Sequence, residues 1–172
     1  MFHKHMLLVL TVLLLISSGL IAQALEKLPE AVEEELSERL DACLGKPPLK
    51  SPGFLIITDL TGDSIPDFVI DYVELNCSGR GMFSGSGGSQ VQIYVGTKGG
   101  QAFKAFRHGK FSVKIDKKTK PARLMLGVGG VLCGQTNFTS KASAWACMRP
   151  VIWNDRTREF EFAPLSQIQP IR

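Results

Sequence analysis

The chain has 172 residues, 44% of them hydrophobic, with a formal net charge of +4. This is enough for one ordinary domain with a real core, and it is too apolar for a disordered chain. No C-x-x-C, P-loop, H-E-x-x-H or G-x-S-x-G occurs, which disfavours zinc knuckles, thioredoxin-like redox sites, phosphate cradles, zinc proteases and esterase nucleophiles.

Met1–Ala24 reads as a secretory signal. His3, Lys4 and His5 precede the apolar Met6–Ile16, and Ala22-Gln23-Ala24 is an A-x-A cleavage site. The apolar run is shorter than the ~20 residues a membrane span needs, and no later stretch is a candidate. The expectation is a secreted or periplasmic protein with a single domain over residues 25–172. Cys43, Cys77, Cys133 and Cys147 then imply disulfides. Three pairings are open. Cys43–Cys77 with Cys133–Cys147 is favoured because each bond closes a local unit.

Charge is divided along this domain. Residues 25–76 hold twelve acidic and four basic side chains, and residues 77–172 hold four and fifteen. The halves either attract one another or offer a basic surface to an anionic partner.

Leu28, Val32, Leu36, Leu40, Cys43 and Leu44 recur at helical spacing and predict a helix over 28–44. Pro29 suits its start, and Gly45 and Pro47-Pro48 end it. Glu30, Glu33 and Glu34 read as its solvated face. Two β-prone runs follow, Phe54–Thr58 and Phe68–Val73, joined by turn formers. In that turn Asp59, Thr61, Asp63 and Asp67 fall on alternate positions, with the Ile65 carbonyl between them. Oxygen donors spaced in this way suit a hard cation such as Ca²⁺; the other reading is a metal-free turn whose aspartates accept their own backbone amides.

The turn resembles the D-x-N-x-D-G-x-x-D loop of FG-GAP/VCBS-type repeats, which occur in secreted and adhesive proteins. The resemblance implies Ca²⁺ held by Asp59, Thr61, Asp63, Ile65 and Asp67. Thr61 replaces the usual Asn or Asp, and Ser64 the usual Gly, where a left-handed backbone is costly for Ser. Ile70 in place of Glu excludes an EF-hand, and a single repeat excludes a full propeller. The wider layout is similar to small secreted proteobacterial proteins with one such hairpin after a Cys-bearing helix, then a G-S-G-G loop and a paired-Cys segment. Cys43, Asp59–Asp67, Cys77, Gly85–Gly88, Cys133-Gly134 and Cys147 carry this likeness, with Ser84 and Ser89 where further cysteines often stand.

Ser78–Gln90 is rich in Gly and Ser and reads as a loop. Strands are expected at Val91–Val95 and Ala102–Phe106, and at Phe111, Val113 and Ile115 alternating with polar residues. Another alternates at Leu124, Leu126 and Val128. Cys133–Cys147 reads as a stapled loop. Val151–Trp153 and Phe160–Phe162 form a closing hairpin, and the tail from Pro164 is expected to fray. The fold class is α+β, with an antiparallel sheet of about eight short strands packed against the N-terminal helix.

His108 is the single histidine after the leader and reads as a surface residue in a basic turn. With no triad pattern, no catalytic residue is assigned, and the expected role is non-catalytic binding. One alternative is an inhibitor or immunity-type protein that plugs a cell-wall hydrolase with the Ser78–Gln90 loop. The other is a small hydrolase using Asp63 with Asp67, or Asp71 with Glu74. Lys110, Lys114, Lys117, Lys118 and Lys120 form a basic run suited to an anionic cell-envelope component or an acidic protein. No nucleic-acid-binding pattern is present.

Overall fold

A computed structural model of the chain describes residues 28–41, 49–50, 53–76, 84–85, 88–140 and 143–171. The leader, Cys43, Cys77, their expected bond and most of the Ser78–Gln90 loop lie outside the described residues. The helical spacing gives α1 (Glu30–Asp41). The strands are β1 (Leu49–Lys50), β2 (Leu55–Thr58), β3 (Asp67–Asp71), β4 (Leu75–Asn76), β5 (Ser84–Gly85) and β6 (Gly88–Gly96), so β5 and the start of β6 are paired strands inside the stretch expected to be a loop. The series continues as β7 (Ala102–Lys110), β8 (Ser112–Asp116), β9 (Arg123–Gly129), β10 (Ala146–Asn154), β11 (Glu159–Phe162) and β12 (Gln169–Pro170).

All pairings among these strands are antiparallel. They form two five-stranded sheets and a separate β1–β4 ribbon, rather than the single eight-stranded sheet expected. In the first sheet β2 joins β3, β3 joins β6, and β6 also carries β5 and β7. The second runs β8–β9–β10–β11, with β12 also on β10.

The two-sheet arrangement follows from strands that are apolar on both faces. In β3 and β6, Phe68, Ile70 and Tyr94 meet Val32 and Leu36 of α1. Val69, Val91, Ile93 and Val95 turn the other way, onto Leu124, Leu126, Val128, Val151 and Phe160 of the second sheet. Every residue of β3 is buried. A sheet apolar on both faces needs a layer on each side, and burial of each large aliphatic side chain stabilises by about 1.5–3 kcal/mol.

Three local expectations are corrected. The alternation with Val113 and Ile115 places Phe111 in a half-buried strand, yet it is 51% exposed. It is the corner between β7 in the first sheet and β8 in the second, so the alternation of Val113 and Ile115 does not extend back to it. Lys110 therefore follows the alternation of β7, and with Phe106 and His108 it faces the second sheet. His108 is half-buried, its ring 4.9 Å from that of Phe162, rather than lying free on the surface. The tail also does not fray from Pro164: Leu165–Gln167 form a 3₁₀ turn and β12 pairs with β10.

The Cys133–Cys147 disulfide forms as expected, with Cα atoms 5.9 Å apart. It ties the 3₁₀ turn Gly130–Cys133 to the start of β10. No helix among the described residues is long and apolar enough to cross a membrane.

Candidate functional site

The acidic turn joins β2 to β3 at one end of the two-sheet stack, and its backbone is held by its own aspartates. Asp59 Oδ1 accepts the Gly62 amide at 2.7 Å and Oδ2 the Ser64 amide at 3.1 Å. Asp63 Oδ1 accepts the Ile65 amide at 2.8 Å. Asp67 is fully buried, and its Oδ2 takes the amides of Leu60 and Thr61 at 2.7 and 3.1 Å. Its Oδ1 takes the Gly96 amide of β6 at 3.1 Å. Burial pushes the Asp67 carboxyl above its usual value, against the pull of these three amides. A Cβ on Gly96 would collide with the Pro66 carbonyl, so glycine permits this close approach.

Gly62 and Ser64 both have positive φ, 90° and 67°. The left-handed backbone foreseen for Ser64 is therefore present, at a cost of about 1 kcal/mol. The turn also touches the second sheet, because the Ala122 amide donates to the Asp59 carbonyl at 2.9 Å. Here the acidic and basic segments of the chain meet. A cavity of about 420 Å³ is lined by Asp59 together with Lys117, Lys120 and Pro121.

The five residues expected to hold Ca²⁺ thus share one turn, but they do not fit as a complete cage. Asp67 is committed to three backbone amides, and Lys117 and Lys120 face the same cavity as Asp59. No three acidic, His or Cys side chains converge among the described residues. The Thr61 Oγ1 is buried without a partner. The carboxylate pairs considered for hydrolysis are also depleted. Asp67 is spent on amides, and Asp71 accepts the Val73 amide and pairs with Lys110.

Of the basic run, Lys114, Lys117, Lys118 and Lys120 are exposed. Lys110 is a correction: it is 1% exposed and pairs with the buried Asp71, so it is not available to a partner. It reads as a surface residue only when grouped with Phe111 instead of with β7.

On the other flank of the turn lies the part of the site that sequence reasoning missed. An open groove of about 500 Å³ is lined by Thr61, Asp63, Phe103, Trp153, Asp155 and Arg158, among others. A neighbouring cavity of about 350 Å³ shares Thr61, Trp153 and Asp155, so Trp153 borders both. Trp153 is braced by Phe160, with ring centroids 5.1 Å apart, and its Nε1 donates to Asp155 at 2.7 Å. Arg158 closes the β10–β11 turn with φ 56°, a second non-glycine residue in the left-handed region, again at about 1 kcal/mol. Its Cζ lies 4.6 Å from the centroid of the Phe103 ring. The available signal was the pair of aromatics, Phe103 and Trp153; nothing local links them to a turn some forty and ninety residues earlier in the chain.

Several backbone amides that line the groove are already committed. The amides of Thr61, Ile65 and Gly96 go to aspartates, and that of Thr97 goes to the Gln101 carbonyl at 2.8 Å. What remains is an aromatic surface flanked by carboxylate and cationic groups. No family model, curated protein sequence or solved structure matches this chain.

Proposed function

We propose that this is an exported, non-catalytic binding protein of the periplasm or medium that holds a cell-envelope glycan at the end of its two-sheet stack. The observation that carries this is the groove between the acidic turn and the β10–β11 hairpin. Its aromatic rings suit the apolar face of a pyranose, and its side chains of both signs suit hydroxyl and charged substituents. Committed backbone amides argue against addition of a peptide strand, which draws its affinity from free main-chain groups. The exposed lysines Lys117 and Lys120 extend the surface beside the turn and favour an anionic envelope component over a neutral one. The inhibitor alternative rests on Ser78–Gln90, which lies largely outside the described residues, and no observation here favours it.

The chain has two tryptophans, so a Trp145→Phe background isolates Trp153 fluorescence. Lipopolysaccharide or peptidoglycan fragments are expected to shift that emission saturably, and Trp153→Ala, read by isothermal titration calorimetry because it carries no reporter, should weaken binding at least tenfold. Absence of any saturable shift across these envelope glycans would overturn the assignment.

In this reading the turn is a structural clamp that needs no ion, and any Ca²⁺ held by Asp59, Asp63 and Thr61 binds weakly. Ligand stabilisation grows with concentration over Kd, so a weak site shows little. Adding EDTA is expected to leave Tm unchanged within about 1 °C, and 1 mM Ca²⁺ to raise it by less than about 2 °C. A larger rise that is lost in Asp63→Ala would restore the metal-held turn.

A further inference from the structure

We propose that Arg158 is the specificity determinant of the groove, and that it selects glycans bearing a carboxylate, that is, acidic sugars. This rests on the binding role proposed above and adds the substrate class.

Arg158 occupies a backbone position that favours glycine. The β10–β11 turn is closed by its amide donating to the Asn154 carbonyl at 2.8 Å, while Asn154 Oδ1 accepts the amides of Arg156 and Thr157 at 3.0 and 3.3 Å. The left-handed residue that ends such a turn is ordinarily glycine or asparagine. An arginine there is strained and does nothing for the turn that glycine would not do better. Strain at an exposed site points to a side chain retained for another purpose.

The surroundings of the side chain indicate that purpose. Arg158 is exposed on the groove rim, and no carboxylate among the described residues pairs with it. The acid within the 155–158 turn, Asp155, accepts from Trp153 Nε1. The guanidinium is instead carried by the Phe103 ring, which positions a planar charge without neutralising it. A guanidinium recognises a planar carboxylate through two parallel hydrogen bonds. A phosphate is more often cradled by several backbone amides, and here the amides of Thr61, Ile65, Gly96 and Thr97 are already used. Trp153 supplies the sugar-ring surface, and the Asp63 carboxylate on the opposite wall supplies an acceptor for hydroxyls.

The test uses trigalacturonate and its methyl ester, in which each carboxylate is replaced by a neutral ester of slightly larger size. Trp153 fluorescence in Trp145→Phe protein is titrated with each. The acid is expected to bind at least tenfold more tightly than the ester. Arg158→Gly should abolish that preference while leaving Tm unchanged or raised, because the turn is relieved. Arg158→Lys, with charge but no planar fork, should retain only part of it. Equal binding of acid and ester, or a preference that survives Arg158→Gly, overturns the inference. If neither trigalacturonide binds while envelope glycans still shift Trp153, the acid selection fails and the binding role stands. If no glycan shifts Trp153, both fail.

Discussion

Replacing Lys110 by methionine is expected to lower the unfolding free energy by about 3–5 kcal/mol. Lys110 is a fully buried side chain, and its charge is answered by Asp71, itself 5% exposed. Removing the cation leaves a carboxylate deep in the stack with the Val73 amide, 3.0 Å away, as its remaining partner. An uncompensated buried charge is far costlier than a missing contact. Against a total stability of about 5–15 kcal/mol, the loss is large enough to show as a collapsed urea midpoint with an unchanged m value. The double variant Lys110→Met with Asp71→Leu should recover most of it, because an apolar pair of similar volume carries no desolvation cost. A loss below about 1 kcal/mol in the single variant would mean that Lys110 reaches water, and it would rejoin the basic surface.

The second large effect is centred on Glu35, the carboxylate that fastens α1 to the first sheet. Its Oε1 accepts Tyr72 OH at 2.5 Å, Arg39 Nε at 2.9 Å and Gln92 Nε2 at 3.1 Å. Its Oε2 accepts Lys104 Nζ at 2.9 Å and Tyr94 OH at 3.0 Å. Burial alone would push this carboxyl up, but the bonds from Tyr72, Lys104, Arg39 and Tyr94 together bring it down from 4.5 to about 2. Burial, and then the bonds to Glu35, hold the Tyr72 and Tyr94 phenols above their usual value. Because the folded value of Glu35 lies below the unfolded one, its contribution is complete above about pH 4.5 and is lost as pH falls towards about 2. A shift of that size corresponds to about 3 kcal/mol.

Glu35→Gln should therefore cost about 3 kcal/mol at pH 7, since one oxygen becomes an amide that faces donors. It should also flatten the decline in stability between pH 4.5 and 2. Urea unfolding at pH 7 and pH 3 reads both effects. If wild type and variant lose stability in parallel over that range, Glu35 is not the titrating clamp described here. Near pH 7 the groove should still bind in this variant, because Glu35 lies in the layer between α1 and the first sheet and Trp153 belongs to the second.

Short-range features of this protein were legible from its residues. The helical spacing of Val32 and Leu36 gave α1, and the turn formers between two β-prone runs gave the β2–β3 hairpin. The turn formers around Ser64 include a left-handed backbone at that residue, and Cys133 bonded with Cys147 across a short separation. Each of these is encoded within a few residues to a few turns of chain, where periodicity and turn chemistry act directly.

Glu35 shows where that legibility stops. It follows Val32 by three positions and precedes Leu36, so it lies on the apolar face, yet in the sequence it is one more glutamate in an acidic run. Its burial is decided by partners 37 to 69 residues away, at Tyr72, Gln92, Tyr94 and Lys104. The same holds for Lys110, whose partner Asp71 is 39 residues distant, and for the groove, where the 61–65 turn meets Phe103 and the 153–158 hairpin. The chain by itself determined the elements, the turn chemistry and the local staple, because these are settled by neighbours along the backbone. Only the tertiary structure decided which charges are withdrawn from water and which face a ligand, because that depends on what the second sheet and the helix cover.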